Sequence, residues 1–233
     1  MKPTSYLNIF ESKSFTPKHN LQWEEECLTQ MEKNPHHIYL LFYENLSSII
    51  LGKTLHVEEE VYTHKKNPPI LRRMSGGGSV YHHIGNLNYS IILSLETYPH
   101  LFPIHESYRV ILSAIVEGMK PKLKLVPCGL SDLAIWQKGK LRKISGNAQA
   151  RKRGYLMHHG TFLYKKELLN PIRYYLRHPK KEPDYRESRK HDDFLIQTLP
   201  QLCQAEIKQG VIAGMKKVFQ AQNIRMFSDT LRS

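Results

Sequence analysis

The sequence contains little cysteine and lacks both long apolar runs and a secretion signal. The three cysteines, Cys27, Cys128 and Cys203, are odd in number and form no CxxC pair, which argues against a disulfide framework and favours a reducing compartment. No apolar run approaches the roughly 20 residues of a membrane-spanning helix. The N-terminal stretch has no apolar core of signal-peptide length. We therefore expect a soluble, cytoplasmic protein with no membrane partner.

The composition is that of a globular protein with a strong positive charge. Of its 233 residues, 40% are apolar and 24% charged, which is enough to bury a core. Internal repeats, low-complexity tracts and linkers are missing, so residues 1–233 are predicted to form one domain. The formal net charge of +13 attracts acidic partners such as nucleic acid, anionic lipid or an acidic protein. Its spread along the chain weakly disfavours a nucleic-acid-binding tail.

Hydrophobic periodicity predicts two long helices and several buried strands. Helices are predicted at residues 21–33 and 103–119, and strands at 38–43, 48–51, 79–81, 88–93, 123–126, 132–136, 141–144 and 155–164. The first 20 residues are predicted to form an edge strand and a loop, and the chain from Leu168 onward to be mostly helical. The acidic triplet at 24–26 is interpreted as a solvated first helical turn, favoured by the helix dipole.

The chain is organised around the stretch LRRMSGGGSVYHHIGNLNYSIIL, which begins at Leu71. Three successive glycines are costly to order, and a fold keeps them where backbone passes close to a ligand or takes a positive φ. Their amide groups can then face an anion, and the arginines at 72 and 73 add charged donors for it. The stretch is neither GxGxxG nor GxxxxGK[ST], so a dinucleotide fold and a P-loop are not indicated. A flexible hairpin loop with two solvated arginines is the alternative.

A second polar stretch, RKISGNAQ, places Lys143 at the end of a predicted strand, directly before a Ser-Gly-Asn turn. A lysine there can neutralise a carboxylate or a phosphate, and Ser145, Asn147 and Gln149 can supply neutral hydrogen bonds. The alternative is an ordinary charged hairpin.

Two histidine pairs, at 82–83 and 158–159, invite a metal interpretation that strand geometry disfavours. Adjacent residues of a strand point to opposite faces, so neither pair can easily share one ion. Neither a cysteine pair nor HExxH accompanies them, and a zinc site is not predicted. Asp132 is a lone carboxylate that can hold Mg²⁺ together with phosphate oxygens, or lie in a surface turn.

Taken together, four blocks closely resemble the lipoate–protein ligase A family. The blocks are RRMSGGGSVYHHIGNLNYS, SDLAIW, RKISGNAQ and HHGTFL, and their order and spacing match the family pattern between about residues 38 and 165. The resemblance implies an α+β fold with a mixed β-sheet flanked by helices, the class II synthetase-like catalytic domain shared by biotin and lipoate ligases. It also implies two reactions: lipoate and ATP give lipoyl-AMP and pyrophosphate, and the lipoyl group then passes to a protein lysine.

The resemblance implies roles for particular residues. Contacts to ATP or lipoyl-AMP are expected from Arg73, Gly76, Gly77, Gly78, Ser79, Val80, Tyr81, Asn86, Lys143 and Ser145, with Lys143 as the catalytic residue and Asp132 as the metal position. Adenylation brings a carboxylate to the α-phosphate, and Arg73 and Lys143 can offset the repulsion between these anions. The apolar strands at 38–43 and 48–51 are expected to help line a tunnel for the acyl chain.

The resemblance also implies partners. The acceptors are lipoyl domains of 2-oxoacid dehydrogenase complexes or a glycine-cleavage H-type protein. The positive surface suits docking of such acidic domains, and nucleic acid is not an expected partner. We expect a single-domain form without the C-terminal accessory domain of the two-domain ligases, for which a separate accessory protein is a candidate partner.

Two other functions remain as alternatives. A cysteine-dependent octanoyltransferase of the same fold takes its acyl group from acyl-carrier protein, and Cys128 lies near the position where such relatives place their nucleophile. A basic nucleic-acid-binding module is supported by the net charge alone, without aromatic–basic interleaving. The segment 178–195, HPKKEPDYRESRKHDDFL, is interpreted as a basic turn that leads into a helix.

Overall fold

The structure, a computed structural model, describes residues 6–120, 122–196 and 202–228. Most strands of this part of the chain form one mixed sheet with the order β11-β1-β2-β6-β10-β9-β8-β7. Its strands are β1 (Tyr6–Glu11), β2 (His37–Tyr43), β6 (Asn86–Ser94), β7 (Val126–Cys128), β8 (Asp132–Gln137), β9 (Lys140–Lys152), β10 (Tyr155–Leu163) and β11 (Asn223–Ser228). β1 pairs in parallel with β2 and β11, and the remaining pairs are antiparallel.

Helices cover both faces of this sheet. They are α1 (Pro17–Gln30), α2 (Val57–Glu60), α3 (Ile104–Met119), α4 (Leu169–Tyr175), α5 (His191–Phe194) and α6 (Gln204–Val218). Alternation along β2 explains the two layers, because Ile38 and Leu40 belong to the core that contains α3 and α6, whereas Tyr39 and Leu41 belong to the core under α1. Each aliphatic side chain buried in this way contributes about 1.5–3 kcal/mol. The predicted α+β class is confirmed.

The backbones of α3 and α6 are in direct contact. A Cβ built at Gly118 would lie 2.0 Å from the carbonyl oxygen of Gly210, and one built at Gly214 would lie 2.1 Å from that of Ala114. Glycine is therefore required for this helix contact, which lies in the core opposite α1.

A second, smaller sheet carries the glycine stretch. It consists of β3 (Ser48–Leu51), β4 (Ile70–Arg72) and β5 (Val80–His82), with β3 in the middle, parallel to β4 and antiparallel to β5. We call the connection between β4 and β5, residues 73–79, the glycine loop. It crosses the end of β3 so closely that a Cβ at Gly52 would lie 2.0 Å from the carbonyl oxygen of Gly77. β3 thus fixes both the ends and the path of the loop.

Several predicted elements need correction. β1 is not an edge strand, because β11 pairs with its outer side, and α1 begins at Pro17, inside the stretch predicted as loop. The short strand predicted at 123–126 is found at Val126–Cys128. Among its described residues, the chain beyond Leu168 holds the helices α4, α5 and α6, irregular segments between them, and the strand β11, so it is not mostly helical. None of the described helices has the length and apolar character required to cross a membrane.

Candidate functional site

Two adjoining cavities lie between the glycine loop and strands β8, β9 and β10. The larger one, which we call the outer cavity, has a volume of about 680 Å³, and the smaller inner cavity has about 150 Å³. Residues that line both include Gly78, Ser79, Val80, Asp132, Lys143 and Thr161. The volume of the outer cavity falls within the usual range of small-molecule sites. An apolar cavity of about 150 Å³ holds one benzene-sized ring.

Lys143 lies within β9 at the boundary between the two cavities. The turn predicted directly after it is wrong, because residues 145–147 continue the strand and pair with β10. The Nζ of Lys143 forms an ion pair of 2.9 Å with Asp132 Oδ1, and the Lys143 side chain is 27% exposed whereas that of Asp132 is 6% exposed. Gly146 leaves room for this side chain, since a Cβ there would lie 2.7 Å from Lys143 Nζ. Tyr185 donates a hydrogen bond of 2.8 Å to the other oxygen of Asp132. The site therefore presents one accessible cation next to a buried carboxylate.

The side chain of Arg73 holds the glycine loop in place through hydrogen bonds to its carbonyl oxygens. The Nη2 of Arg73 donates to the carbonyl oxygens of Gly76 and Gly78, both at 2.7 Å, and its Nε donates to Ser75 Oγ at 2.9 Å. Gly77 has φ of +86°, a conformation that favours glycine. A Cβ at Gly76 or Gly78 would meet no atom within 4 Å, so the side of the loop away from Arg73 is open.

A buried chain of hydrogen bonds extends from Arg73 to α1. Ser75 Oγ lies 2.6 Å from His159 Nε2, and His159 Nδ1 lies 3.1 Å from Glu24 Oε2. Glu24, only 1% exposed, also accepts hydrogen bonds from Tyr43 and Ser90. Burial favours protonation of Glu24, but the interaction with His159 and the hydrogen bonds outweigh it and lower the pKa of this carboxyl. The interpretation of 24–26 as a solvated first turn is therefore wrong, because α1 begins at Pro17 and its first turn holds no acidic residue. Glu24 is buried, and Glu25 and Glu26 are exposed in the middle of the helix.

The protonation of Arg73 follows from the same burial. Burial lowers the pKa of Arg73 to about 10, partly offset by Glu24 and Tyr43, so the guanidinium keeps its charge at neutral pH. That charge is directed at the loop carbonyls. Arg73 also lines the inner cavity. Its predicted contact with nucleotide stays a prediction, and its visible role is to hold the loop.

The segment 178–195, which we call the tail segment, covers the outer cavity. Phe194 is its buried anchor, with the guanidinium groups of Arg186 and Arg189 at 4.6 and 5.5 Å from the ring centre and Lys143 Nζ at 6.0 Å. Leu195 forms an isolated bridge with Lys143. The sequence interpretation treated this segment as a simple turn and helix, whereas here it joins the site. Its charged and aromatic residues give no pattern that points to β9.

The paired histidines point to opposite faces, as predicted. His159 joins the chain to Glu24, whereas His158 lies near Gln149 and packs against Tyr89 and Tyr108. Burial, and then the nearby His159, lower the pKa of His158 to about 3. Within residues 6–120, 122–196 and 202–228, no group of three or more His, Cys, Asp or Glu side chains is arranged to hold a metal ion.

Comparison with known proteins decides the family. The model of the lipoyl protein ligase A/B catalytic domain matches residues 16–220, which include both cavities, the glycine loop and Lys143. The chain belongs to this family. It is similar to the lipoate-protein ligase LplJ of Bacillus subtilis, with 35% identity over 152 residues, which cover 64% of this chain and 43% of that protein. The chain spans less than half the length of the curated relatives with the strongest matches.

Solved structures show the same fold. A bi-partite lipoate protein ligase from Thermoplasma acidophilum superposes with a TM-score of 0.77 at 24% identity, covering 98% of this chain and 88% of the other. A lipoate-protein ligase A bound with ATP superposes with a TM-score of 0.71 at 25% identity, covering 99% and 90%. The mixed sheet flanked by helices, of class II synthetase type, is thus the fold of this family.

Residues of the family motifs line the two cavities. Gly78, Ser79, Val80, Tyr81, Asn86, Asp132, Lys143 and Ser145 line the outer cavity, and Arg73 and Gly77 line the inner one. Gly76 belongs to the open side of the loop. Two of these cavity-lining residues also stabilise the surrounding structure. Asn86 donates a hydrogen bond to the carbonyl oxygen of Tyr81, and Ser79 donates one to the carboxylate of Glu60.

Two further contributors to the site were missed by the sequence interpretation. The one sequence feature that could have indicated burial of Glu24 is its helical spacing from apolar residues. α1 places Leu21, Glu24 and Leu28 on the same buried face. The tail segment is joined to β9 by tertiary contacts such as the hydrogen bond from Arg189 to the carbonyl oxygen of Leu141, 48 residues away in the chain.

Proposed function

We propose that the chain is the catalytic unit of an ATP-dependent lipoate–protein ligase. The observation that carries this proposal is the position of Lys143 at the junction of a nucleotide-sized outer cavity and an inner cavity large enough for one ring. The names of the relatives point to the same substrates, since they are lipoate-protein ligases and one of their structures contains ATP.

The proposed reaction has two steps. The carboxylate of lipoate attacks the α-phosphorus of ATP, which forms lipoyl-AMP and releases pyrophosphate. The ε-amine of an acceptor lysine then attacks the acyl carbonyl, forms an amide and releases AMP. Lys143 places its ammonium group where the reacting anions meet and stabilises the charge that develops there. The glycine loop offers open backbone, held in place by Arg73, against which the adenylate lies.

Asp132 is the proposed contact for Mg²⁺. It supplies one buried carboxylate beside both cavities, and Mg²⁺ at nucleotide sites is typically held by one or two carboxylates together with substrate phosphates. A bound Mg²⁺ would neutralise phosphate charge. Both oxygens of Asp132 have protein partners, Lys143 and Tyr185, which orient the carboxylate.

The acceptors are proposed to be acidic lipoyl domains, and the location cytoplasmic. The net charge of +13 is complementary to acidic domains, and the three cysteines are free, which suits a reducing compartment. We also propose that residues 1–233 form a single domain, because β1 and β11, from opposite ends of the described chain, pair side by side in one sheet.

The test is the intact mass of an apo lipoyl domain after incubation with this protein, lipoate, ATP and Mg²⁺. We expect a gain of one lipoyl group, and a rate that falls about 100-fold or more in Lys143→Ala. Lys140→Ala is the matched control, because Lys140 is an exposed lysine on the same strand, and it should keep the full rate. A gain with preformed lipoyl-AMP but not with lipoate and ATP would assign activation to another polypeptide.

Octanoyl transfer is the second candidate, because Cys128 lines the outer cavity. A cysteine nucleophile needs a lowered pKa, whereas burial and then the charge of Asp132 raise the pKa of the Cys128 thiol. We therefore expect Cys128→Ser to keep full ligase activity. Transfer from octanoyl-acyl-carrier protein without ATP, lost in Cys128→Ser, would establish the transferase instead.

A further inference from the structure

His82 has a buried nitrogen atom with no protein partner. The residue lies on β5, is 4% exposed and lines the inner cavity. Its Nε2 makes no hydrogen bond, although the atom is inaccessible to solvent. Buried polar atoms in native proteins are almost always paired, so an unpaired one beside a cavity points to a ligand.

The neighbouring amides determine that this nitrogen is a donor. Asn20 Nδ2 donates to the carbonyl oxygen of Glu44 at 3.2 Å, which orients the Asn20 amide, and it also donates to Asn45 Oδ1 at 2.8 Å. Asn45 therefore turns its Nδ2 toward His82 Nδ1, 2.9 Å away, which must accept. Burial lowers the pKa of His82 to about 3, so the ring is neutral and its one hydrogen is on Nε2.

The rest of the inner cavity combines apolar and polar walls, and Arg73 and His159 are among the polar residues near His82. Leu21 and Ile50 contribute apolar walls, and Asn88 adds one unpartnered acceptor oxygen. Lys143 lines both cavities and so lies where they join, whereas His82 lines the inner cavity and not the outer one. A ligand that fits has an anionic head at Lys143 and an apolar body with a hydrogen-bond acceptor beyond it.

We propose that His82 Nε2–H donates a hydrogen bond to a ring sulfur of the lipoyl chain, and that this bond selects lipoate over an unsubstituted octanoyl chain. The inference rests on the proposed ligase function. Thioether-type sulfur is a weak acceptor, so the bond itself is modest. The preference for lipoate comes mainly from the cost of binding the octanoyl chain. An alkyl chain would leave the Nε2–H of His82 buried and unpaired, and sites built to pair a polar group reject analogues that lack its partner.

The test is isothermal titration of the full chain with stable sulfamoyl analogues of lipoyl-AMP and octanoyl-AMP. We expect the wild-type protein to bind the lipoyl analogue about tenfold or more tightly than the octanoyl analogue. His82→Leu should bind the two within about twofold of each other, with octanoyl affinity equal to or above wild type. His83→Leu is the matched control, because this neighbouring histidine stacks on Tyr81 and should keep the preference.

The outcomes separate the inference from the function. Binding of both adenylates without preference by the wild type, or a preference that persists in His82→Leu, would overturn the inference and leave the ligase proposal standing. Binding of neither analogue would overturn both. If His82→Leu does not fold, the proposed hydrogen bond is tested in the wild-type protein by NMR, which measures how fast the Nε2–H proton of His82 exchanges with solvent. Slowing by the lipoyl analogue alone supports the bond, and equal slowing by both analogues contradicts it.

Discussion

At the scale of single residues, the glycine loop depends on a carboxylate that it does not touch. Glu24 is linked to the loop through His159, Ser75 and Arg73. Each member of this chain is buried, so a missing partner leaves a buried polar atom unpaired, which costs more than the hydrogen bond itself contributes. The cation that supports the loop is thereby balanced by an anion on α1.

Glu24→Gln should show this dependence as a loss of stability near neutral pH. We expect a decrease of about 1–3 kcal/mol in the free energy of unfolding, because the charged acceptor of His159 is lost. The native pKa of Glu24 is lowered, so its contribution is complete above the ordinary value of 4.5 and is lost as pH falls through the native pKa. The gap between wild type and variant should therefore narrow in acid, as measured by urea unfolding at several pH values.

Glu25→Gln serves as the control for this experiment. Glu25 is exposed on the same helix, so its replacement should change stability by less than about 0.5 kcal/mol at every pH. Equal stability of Glu24→Gln and wild type at neutral pH would contradict the role assigned to the buried chain.

At the scale of elements, the position of the glycine loop depends on β3 and the residues that follow it as well as on the loop's own Arg73. Arg72 donates to the carbonyl oxygens of Gly52, Lys53 and Leu55, and the amide of Arg73 donates to Leu51. Three glycines in a row have little intrinsic preference for one path. The small sheet supplies the path, and the open side of the loop is left for a ligand.

Gly52→Ala and Gly76→Ala should therefore have different effects: the first should lower both stability and nucleotide binding, and the second should weaken adenylate binding alone. The Cβ added by Gly52→Ala would lie 2.0 Å from the carbonyl oxygen of Gly77, so we expect a loss of about 1–3 kcal/mol of stability together with weakened nucleotide binding. At Gly76 the Cβ meets no protein atom, so stability should stay within about 0.5 kcal/mol of wild type while adenylate binding weakens. Thermal unfolding and titration calorimetry measure the two effects. Unchanged adenylate binding by Gly76→Ala would show that the adenylate lies elsewhere.

At the scale of the whole molecule, the excess of basic residues gives the protein a long-range positive field. The formal net charge is +13. Many of the described ion pairs lie at the surface, where each contributes little to stability. The field acts mainly on association with other molecules, because steering operates before contact is made.

Salt should consequently slow transfer to an acidic acceptor domain. We expect kcat/KM for an apo lipoyl domain, with preformed lipoyl-AMP, to fall about tenfold between roughly 20 mM and 200 mM NaCl. Trapping of the same acyl group by neutral hydroxylamine is the control, and its rate should change little. A salt-independent rate with the protein acceptor would show that the charge does not steer docking.

The sequence by itself determined most strand positions, because these depend on local patterns, and its motifs carried the resemblance that implied the α+β fold. Apolar runs and the glycines that end them identified the strand at 48–51 to the residue and the long strand around His158 nearly so. The candidate site residues follow from the family motifs, which place glycines and a lysine in a fixed order along the chain, and their roles stay predictions. Strand alternation also placed the paired histidines on opposite faces.

Only the tertiary structure decided the surroundings of those motifs. β11 pairs beside β1 from the far end of the chain, Glu24 is drawn into the core by His159, and the tail segment lies over Lys143. The unpartnered nitrogen of His82 is likewise visible only once Asn45 and the inner cavity are in place. The physical reason is the same in each case. Burial and pairing of a polar group depend on residues distant in sequence, and local periodicity carries no information about them.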